Sequence, residues 1–179
     1  MKLLKSRDGI IELISVLFSL AYTVLYMYES PWAFLFGALG ASGFVYLCFQ
    51  KKIFAESALQ LFYVGMAIYG YVNLGGDWGE VHWPMEKHGL WILGGIIGTI
   101  GLGWILNNKT TSEATYLDAF TTVFSIVATV LMMEFVVENW LYWIVINAVS
   151  SLLYFRRKLY FGSALFLIYL ALSIKAYFF

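Results

Sequence analysis

The sequence predicts an all-α integral membrane protein of seven transmembrane helices, laid out as two parallel three-helix repeats with a linker helix between them, a 3+1+3 plan. Composition is the first observation: 61% of the 179 residues are apolar, 20% are aromatic and only 12% are charged, about half the charged share of an ordinary soluble domain. The second is that apolar stretches follow one another almost without pause, each long enough to cross roughly 30 Å of hydrocarbon. The third is an internal match, because residues 12–71 align with 118–177 at a constant offset of 106 without a gap.

The expected spans are 9–28, 31–49, 53–74, 89–107, 115–136, 139–155 and 159–178. The first begins after a short basic segment but is long and has no small-residue cleavage site, so it reads as a retained helix and not a signal peptide. Pro31 opens the second, where a missing N–H costs nothing. The one substantial connection, 75–88, contains a Gly pair, Pro84 and mixed charges, while Trp78 and Trp83 place it at the membrane interface. The fourth span, rich in glycine, is the linker, with Gly94 and Gly98 as a small-xxx-small pair and Gly101 and Gly103 extending close approach. The expected domains are 9–74 for the first repeat, 75–114 for the outer loop and linker helix, and 115–179 for the second repeat.

Positive charge sets orientation. Lys2, Lys5, Arg7, Lys51, Lys52, Lys109, Arg156, Arg157 and Lys158 all fall on one side of this span plan, and the opposite loops offer only Lys87. The expectation is a multi-pass protein of the bacterial cytoplasmic (inner) membrane, N-terminus inside and C-terminus outside. A net charge of zero leaves no nucleic-acid footprint, and the lone Cys48 can form no intramolecular disulfide.

The repeat is more than shared apolarity. It pairs Phe18 with Phe124, Ser19 with Ser125, Thr23 with Thr129, Lys52 with Lys158, Ser57-Ala58-Leu59 with Ser163-Ala164-Leu165, and Tyr63 with Tyr169. Four spans separate the first helix from the fifth, so both copies enter the membrane with the same polarity. Repeats of this kind place a solute at the seam between halves that rock against each other. If rocking needs a helix break, Gly37, Gly40 and Gly43 in the second span are the first places to look.

Polar groups inside spans are costly unless satisfied, so their placement points to pathways. Glu12, Ser15, Ser19 and Thr23 lie three or four apart on one helical face, and their mates Asp118, Thr121, Ser125 and Thr129 make the same stripe. Both stripes are expected to line a route; the plainer reading is bonding of Ser and Thr to their own backbone. In the sixth span Trp140, Trp143, Asn147, Ser150 and Tyr154 recur at helical spacing, so aromatic faces lead down to one amide. Such a face can stack a flat heterocycle, attract a cationic ring and hydrogen-bond an amide or a ribose hydroxyl. Gln60 in the third span is a second buried amide needing partners. His82 and His88, six apart in the outer loop, have neither the spacing nor the helical setting of a metal site and read as solvated. No cofactor motif, no Ser-His-Asp constellation and no phosphate-cradling loop occurs, so an enzyme is not expected.

The run SIVATVLMMEFVVENWLYWIVIN at 125–147, with ALQLFYVGMAIYGY at 58–71, resembles the PnuC-type vitamin transporters. The resemblance rests on Ser125 to Ala128, on Glu138-Asn139-Trp140-Leu141 followed by Trp143 and Asn147, and on the spacing of Gln60 to Tyr69-Gly70. Where that family has one Trp directly after Tyr-Gly and another three residues on, this chain has Tyr71 and Leu74. The resemblance implies a fold like the SWEET sugar transporters and facilitated diffusion of a phosphate-free vitamin or nucleoside, with nicotinamide riboside first and thiamine, riboflavin or a deoxynucleoside as alternatives. It implies that a cytoplasmic kinase traps the substrate by phosphorylation. On this reading Trp143, Asn147, Gln60, Trp140, Tyr69, Ser125, Glu138 and Tyr154 contact substrate. Its partners are the small vitamin and the lipid bilayer, and a homo-oligomer is compatible with it.

Two other classes compete. A retinal-type photoreceptor or pump needs a lysine at mid-span, but Lys175 lies four residues from the last residue of the sequence, where it snorkels to the interface. A non-transporting subunit of a larger complex is distinguished by whether the purified protein transports alone.

Overall fold

The computed structural model describes residues 7–50, 54–74, 79–109, 114–156 and 160–179. Lys2, Lys5, Lys51, Lys52, Asp77, Trp78, Arg157 and Lys158 lie outside the described residues. Seven helices run in order: α1 (Arg7–Met27), α2 (Trp32–Gln50), α3 (Phe54–Leu74), α4 (Met85–Lys109), α5 (Thr115–Met133), α6 (Asn139–Arg156) and α7 (Tyr160–Phe178). Among the described residues α1, α2, α4 and α5 are each long and apolar enough to cross a membrane. The lower apolarity of α6 has a local cause, since it carries Asn139, Asn147, Ser150 and Ser151, all buried.

The chain divides into two compact units, Met1–Trp78 and Gly79–Phe179. In the first, α2 packs on both α1 and α3. The stripe on α1 turns Ser15 and Ser19 toward α2, where Gly40 and Gly43 leave room: a Cβ at Gly40 would stand 2.7 Å from Ser19 Oγ and 3.1 Å from the Ser15 carbonyl, and one at Gly43 would collide with Ser15 Oγ. Gly37 lies under the Tyr22 ring, 2.9 Å from where its Cβ would be. These glycines sit in an unbroken helix, and their role in the described geometry is close backbone approach.

The second unit packs α4 on α5, α5 on α6 and α6 on α7. The expected glycine pairing on α4 is corrected in phase. Positions 94 and 101 have open space where a Cβ would stand, whereas Gly95 meets Phe124, Gly98 meets Val123 and Gly103 meets Tyr116. A second correction concerns the loop. Helix α4 begins directly after Pro84, whose carbonyl accepts from Lys87 N–H at 3.0 Å and His88 N–H at 3.3 Å. His88 is therefore helical and only 4% exposed, not solvated.

The local bonds of the two trios recur at the sequence offset. Helix α1 ends with Ser30 N–H on the Leu25 carbonyl and Glu29 N–H on Tyr26; α5 ends with Val136 N–H on Leu131 and Phe135 N–H on Met132. This is the paired 6→1 and 5→2 bonding of a Schellman motif. Its left-handed residue is Glu29 in one copy and Phe135 in the other, both at φ 54°. Ser57 Oγ donates to the Val45 carbonyl at 3.2 Å, and its mate Ser163 donates to Ser151 at 3.0 Å. A repeat in sequence is thus a repeat in hydrogen bonds.

Candidate functional site

The turn between α5 and α6 carries a strap. Residue Val81 lies parallel to it, donating to the Phe135 carbonyl at 2.9 Å and accepting from Val137 N–H at 3.0 Å. The first repeat cannot make the second of these bonds, because Pro31 stands at the position of Val137 and has no N–H. The strap is clamped through Glu138. One carboxylate oxygen accepts from His82 Nδ1 at 2.8 Å and the other from Trp83 N–H at 3.4 Å. Partial burial works to raise the Glu138 pKa, but the His82 bond, its own and the Trp83 backbone N–H and the His82 charge together hold it below the ordinary value.

His88 lies next to this carboxylate. Its Nδ1 is 3.0 Å from the Tyr142 hydroxyl and its Nε2 is 3.6 Å from Glu138 Oε2, beyond hydrogen-bond reach. Rings surround it: Trp83 is centred 5.9 Å from His88 and 5.9 Å from Trp91, and Tyr142 is 5.8 Å from His88. Lys87 holds its ammonium 3.4 Å over the Trp83 ring, so this aromatic surface already accepts a cation.

Below the clamp, α6 descends through the predicted residues. Trp140 is buried, and Trp143 packs with Phe120 and Tyr142 against the cluster of Phe124, Ala128 and Ile146. The Trp143 Nε1–H is buried with no hydrogen-bond partner among the described residues. One turn on, Asn147 is buried and its Nδ2 donates to Ser173 Oγ at 3.4 Å, while that hydroxyl donates to the Tyr169 carbonyl at 2.8 Å. Tyr154 packs edge-on to Phe166, with ring centres 4.9 Å apart.

The polar stripes are satisfied largely within their own helices. Ser15 donates to Ile11, Thr23 to Ser19, Thr121 to Leu117 and Asp118, and Thr129 to Ser125, all at main-chain carbonyls. Ser15, Ser125 and Thr129 are buried, Ser19 and Asp118 are half-buried and Glu12 is exposed. Gln60, half-buried, and Tyr69, exposed, belong to the first unit. The second unit brings together Trp140, Trp143, Asn147 and Glu138 on or beside one helix.

Sequence reasoning passed over Trp91, Tyr142 and Ser173, and it named Asn139 in a motif without assigning it to the site. Asn139 and Tyr142 were within reach of periodicity, since Asn139 is four residues before Trp143 and Tyr142 four after Glu138. Among the described residues no three His, Cys, Asp or Glu side chains gather as metal ligands.

A sequence model of the nicotinamide mononucleotide transporter family matches residues 9–179. Two curated relatives, the nicotinamide riboside transporters PnuC of Escherichia coli (strain K12) and of Shigella flexneri, are each 25% identical over 159 residues, covering 71% of this chain and 66% of theirs. The chain thus spans about two thirds of the length of these relatives. The crystal structure of a vitamin B3 transporter PnuC superposes with a TM-score of 0.75 over 95% of this chain and 80% of that one, at 23% identity. Its fold is shared.

Proposed function

Because the chain belongs to the nicotinamide mononucleotide transporter family, we propose that it is a facilitative carrier of nicotinamide riboside. The observation that carries this reading is the charge of the α5–α6 segment. From Thr115 to Phe155 the sequence has no Lys or Arg, yet it has Asp118, Glu134 and Glu138. A mononucleotide brings a phosphate that calls for basic partners in a site shielded from water. A riboside with a cationic pyridinium ring calls for aromatic faces and a nearby carboxylate, the chemistry of Trp83, Trp143 and Glu138.

In this reading Trp140, Trp143 and Asn147 contact the substrate, with Ser125, Tyr154, Gln60 and Tyr69 around it. Glu12, Ser15, Ser19, Thr23, Asp118, Thr121 and Thr129 line the route. The N-terminus is cytoplasmic, the residues 9–74 and 115–179 form the two moving trios, and α4 with the outer loop connects them. Transport is equilibrative, and net uptake comes from phosphorylation of the substrate by a cytoplasmic kinase.

The test is uptake of radiolabelled nicotinamide riboside into proteoliposomes. Without an enclosed kinase, internal label should rise only to the external concentration; with a riboside kinase and ATP inside, it should exceed it. Unlabelled thiamine as competitor measures how far the aromatic surface accepts another cationic heterocycle. Absence of uptake of nicotinamide riboside, thiamine, riboflavin and nucleosides alike defeats the carrier reading.

A further inference from the structure

Two buried polar atoms on α6 have no partner among the described residues, and they are chemical complements. One is the donor Trp143 Nε1–H and the other the acceptor Asn139 Oδ1. The orientation of the Asn139 amide is fixed by chemistry: its other terminus lies 2.7 Å from the Val136 carbonyl, and only the NH2 can donate there. Asn139 is 2% exposed, so its oxygen is not satisfied by bulk water. Residues 139 and 143 are one turn apart on one helical face, about 6 Å along the axis. Asn147 continues that face.

The first repeat shows that nothing in the fold requires such groups. The mates of Asn139, Trp143 and Asn147 are Ala33, Gly37 and Ala41. Ala33 and Ala41 are buried, and Gly37 is covered by the Tyr22 ring. That face of α2 belongs to a helix closely apposed to α1, whereas α5 and α6 are apposed less extensively. A buried donor or acceptor left unpaired is destabilising. Two complementary ones on the face that the other copy fills with small residues are the mark of a ligand that supplies both partners.

We propose that Asn139 and Trp143 form a carboxamide-reading pair, in which the substrate's amide N–H donates to Asn139 Oδ1 and its carbonyl accepts from Trp143 Nε1–H. This rests on the riboside-carrier reading and adds to it a specificity-determining residue, Asn139. The pair favours an uncharged primary amide: a carboxylate accepts from Trp143 but presents a negative oxygen to Asn139 Oδ1.

The two residues leave different signatures in competition against labelled nicotinamide riboside in proteoliposomes. For the unmodified protein, 3-acetylpyridine riboside, which keeps the carbonyl but replaces NH2 by CH3, should compete roughly 10-fold more weakly than nicotinamide riboside, the effect of one lost buried hydrogen bond. In Asn139→Ala the two should compete equally. In Trp143→Phe both should weaken together by roughly 10-fold, with their ratio kept, because both bring a carbonyl. Should Asn139→Ala fail to fold for want of its bond to Val136, the ligand series on the unmodified protein and on Trp143→Phe still decides. Equal competition by the acetyl and amide ribosides in the unmodified protein overturns the pair while leaving the carrier intact. Failure to take up any riboside overturns both.

Discussion

Replacing Glu138 by Ala isolates the strap from the rest of the second unit. The substitution removes the 2.8 Å bond from His82 and the 3.4 Å bond from Trp83 N–H, and it takes the carboxylate from beside His88. It leaves both backbone bonds of Val81 in place. The His82 side chain is 66% exposed, so its bond counts at the exposed-pair level of about 0.2–1 kcal/mol. The long Trp83 bond and the His88 contact bring the whole to about 1–2 kcal/mol. That corresponds to a roughly 5- to 30-fold rise in the population of the opened strap. Amide hydrogen exchange reads it directly: Val81 and Val137 should lose protection by this factor, while Ile146, buried within α6, keeps its own. The pH dependence has a definite sign. A carboxyl held below its ordinary 4.5 in the folded protein stabilises the strap above that value and loses its contribution as pH falls through the lowered folded-state pKa. Corrected for intrinsic exchange, strap protection should therefore fall in acid for the unmodified protein and stay flatter for Glu138→Gln. Unchanged exchange at Val81, or an equal loss at Ile146, would refute the clamp.

Other substitutions probe the helix seams. Gly40→Leu should lower the thermal unfolding temperature in detergent, since its Cβ alone stands 2.7 Å from Ser19 Oγ and overpacking costs about 1–3 kcal/mol. Gly95→Ala should destabilise because its methyl meets the buried Phe124 ring at 2.7 Å; Gly101→Ala, facing open space, should be neutral or raise stability by up to about 1 kcal/mol. Glu29→Gly relieves a left-handed residue at φ 54° and should raise stability by about 1 kcal/mol, visible as a higher unfolding temperature with transport unchanged.

The duplication was the most legible feature of the sequence because register is carried by discrete residues. Ser57 and Ser163, or Thr23 and Thr129, match in identity and then prove to make the same bond in each copy. Helix phase was less legible. Over the long α4 a period of 3.6 residues selects a glycine face only to within one residue, and only a neighbour decides between Gly94 and Gly95. The fate of His88 was hidden for a related reason: Pro84 reads as a loop residue, yet its carbonyl opens the helix that buries His88 against Tyr142. The Ser and Thr stripes show the limit of pattern alone. Periodicity puts the hydroxyls on one face, but it does not say whether each oxygen looks outward or back to its own carbonyl, because both bonds satisfy it equally.

The two copies differ most in the polar groups they bury on their second helices. A helix that carries amides and an indole N–H into a membrane must cover them with protein, since hydrocarbon offers no partners. The second repeat does so at Asn147, through Ser173, and leaves Asn139 Oδ1 and Trp143 Nε1 unmet among the described residues. The first repeat avoids the problem with Ala33, Gly37 and Ala41, and so can bring α1 and α2 into the close contact that Gly40 and Gly43 permit. The same contrast holds at the turn: Pro31 stiffens one copy, whereas Val137 keeps the N–H that binds the strap. Polar side chains at α2 positions 33, 37 and 41 would have to displace that packing, so the seam of the first repeat is closed by the very residues that make it stable. Substitutions on the two faces should therefore separate, those at 33, 37 and 41 moving stability and those at 139, 143 and 147 moving the affinity for substrate or the choice of it.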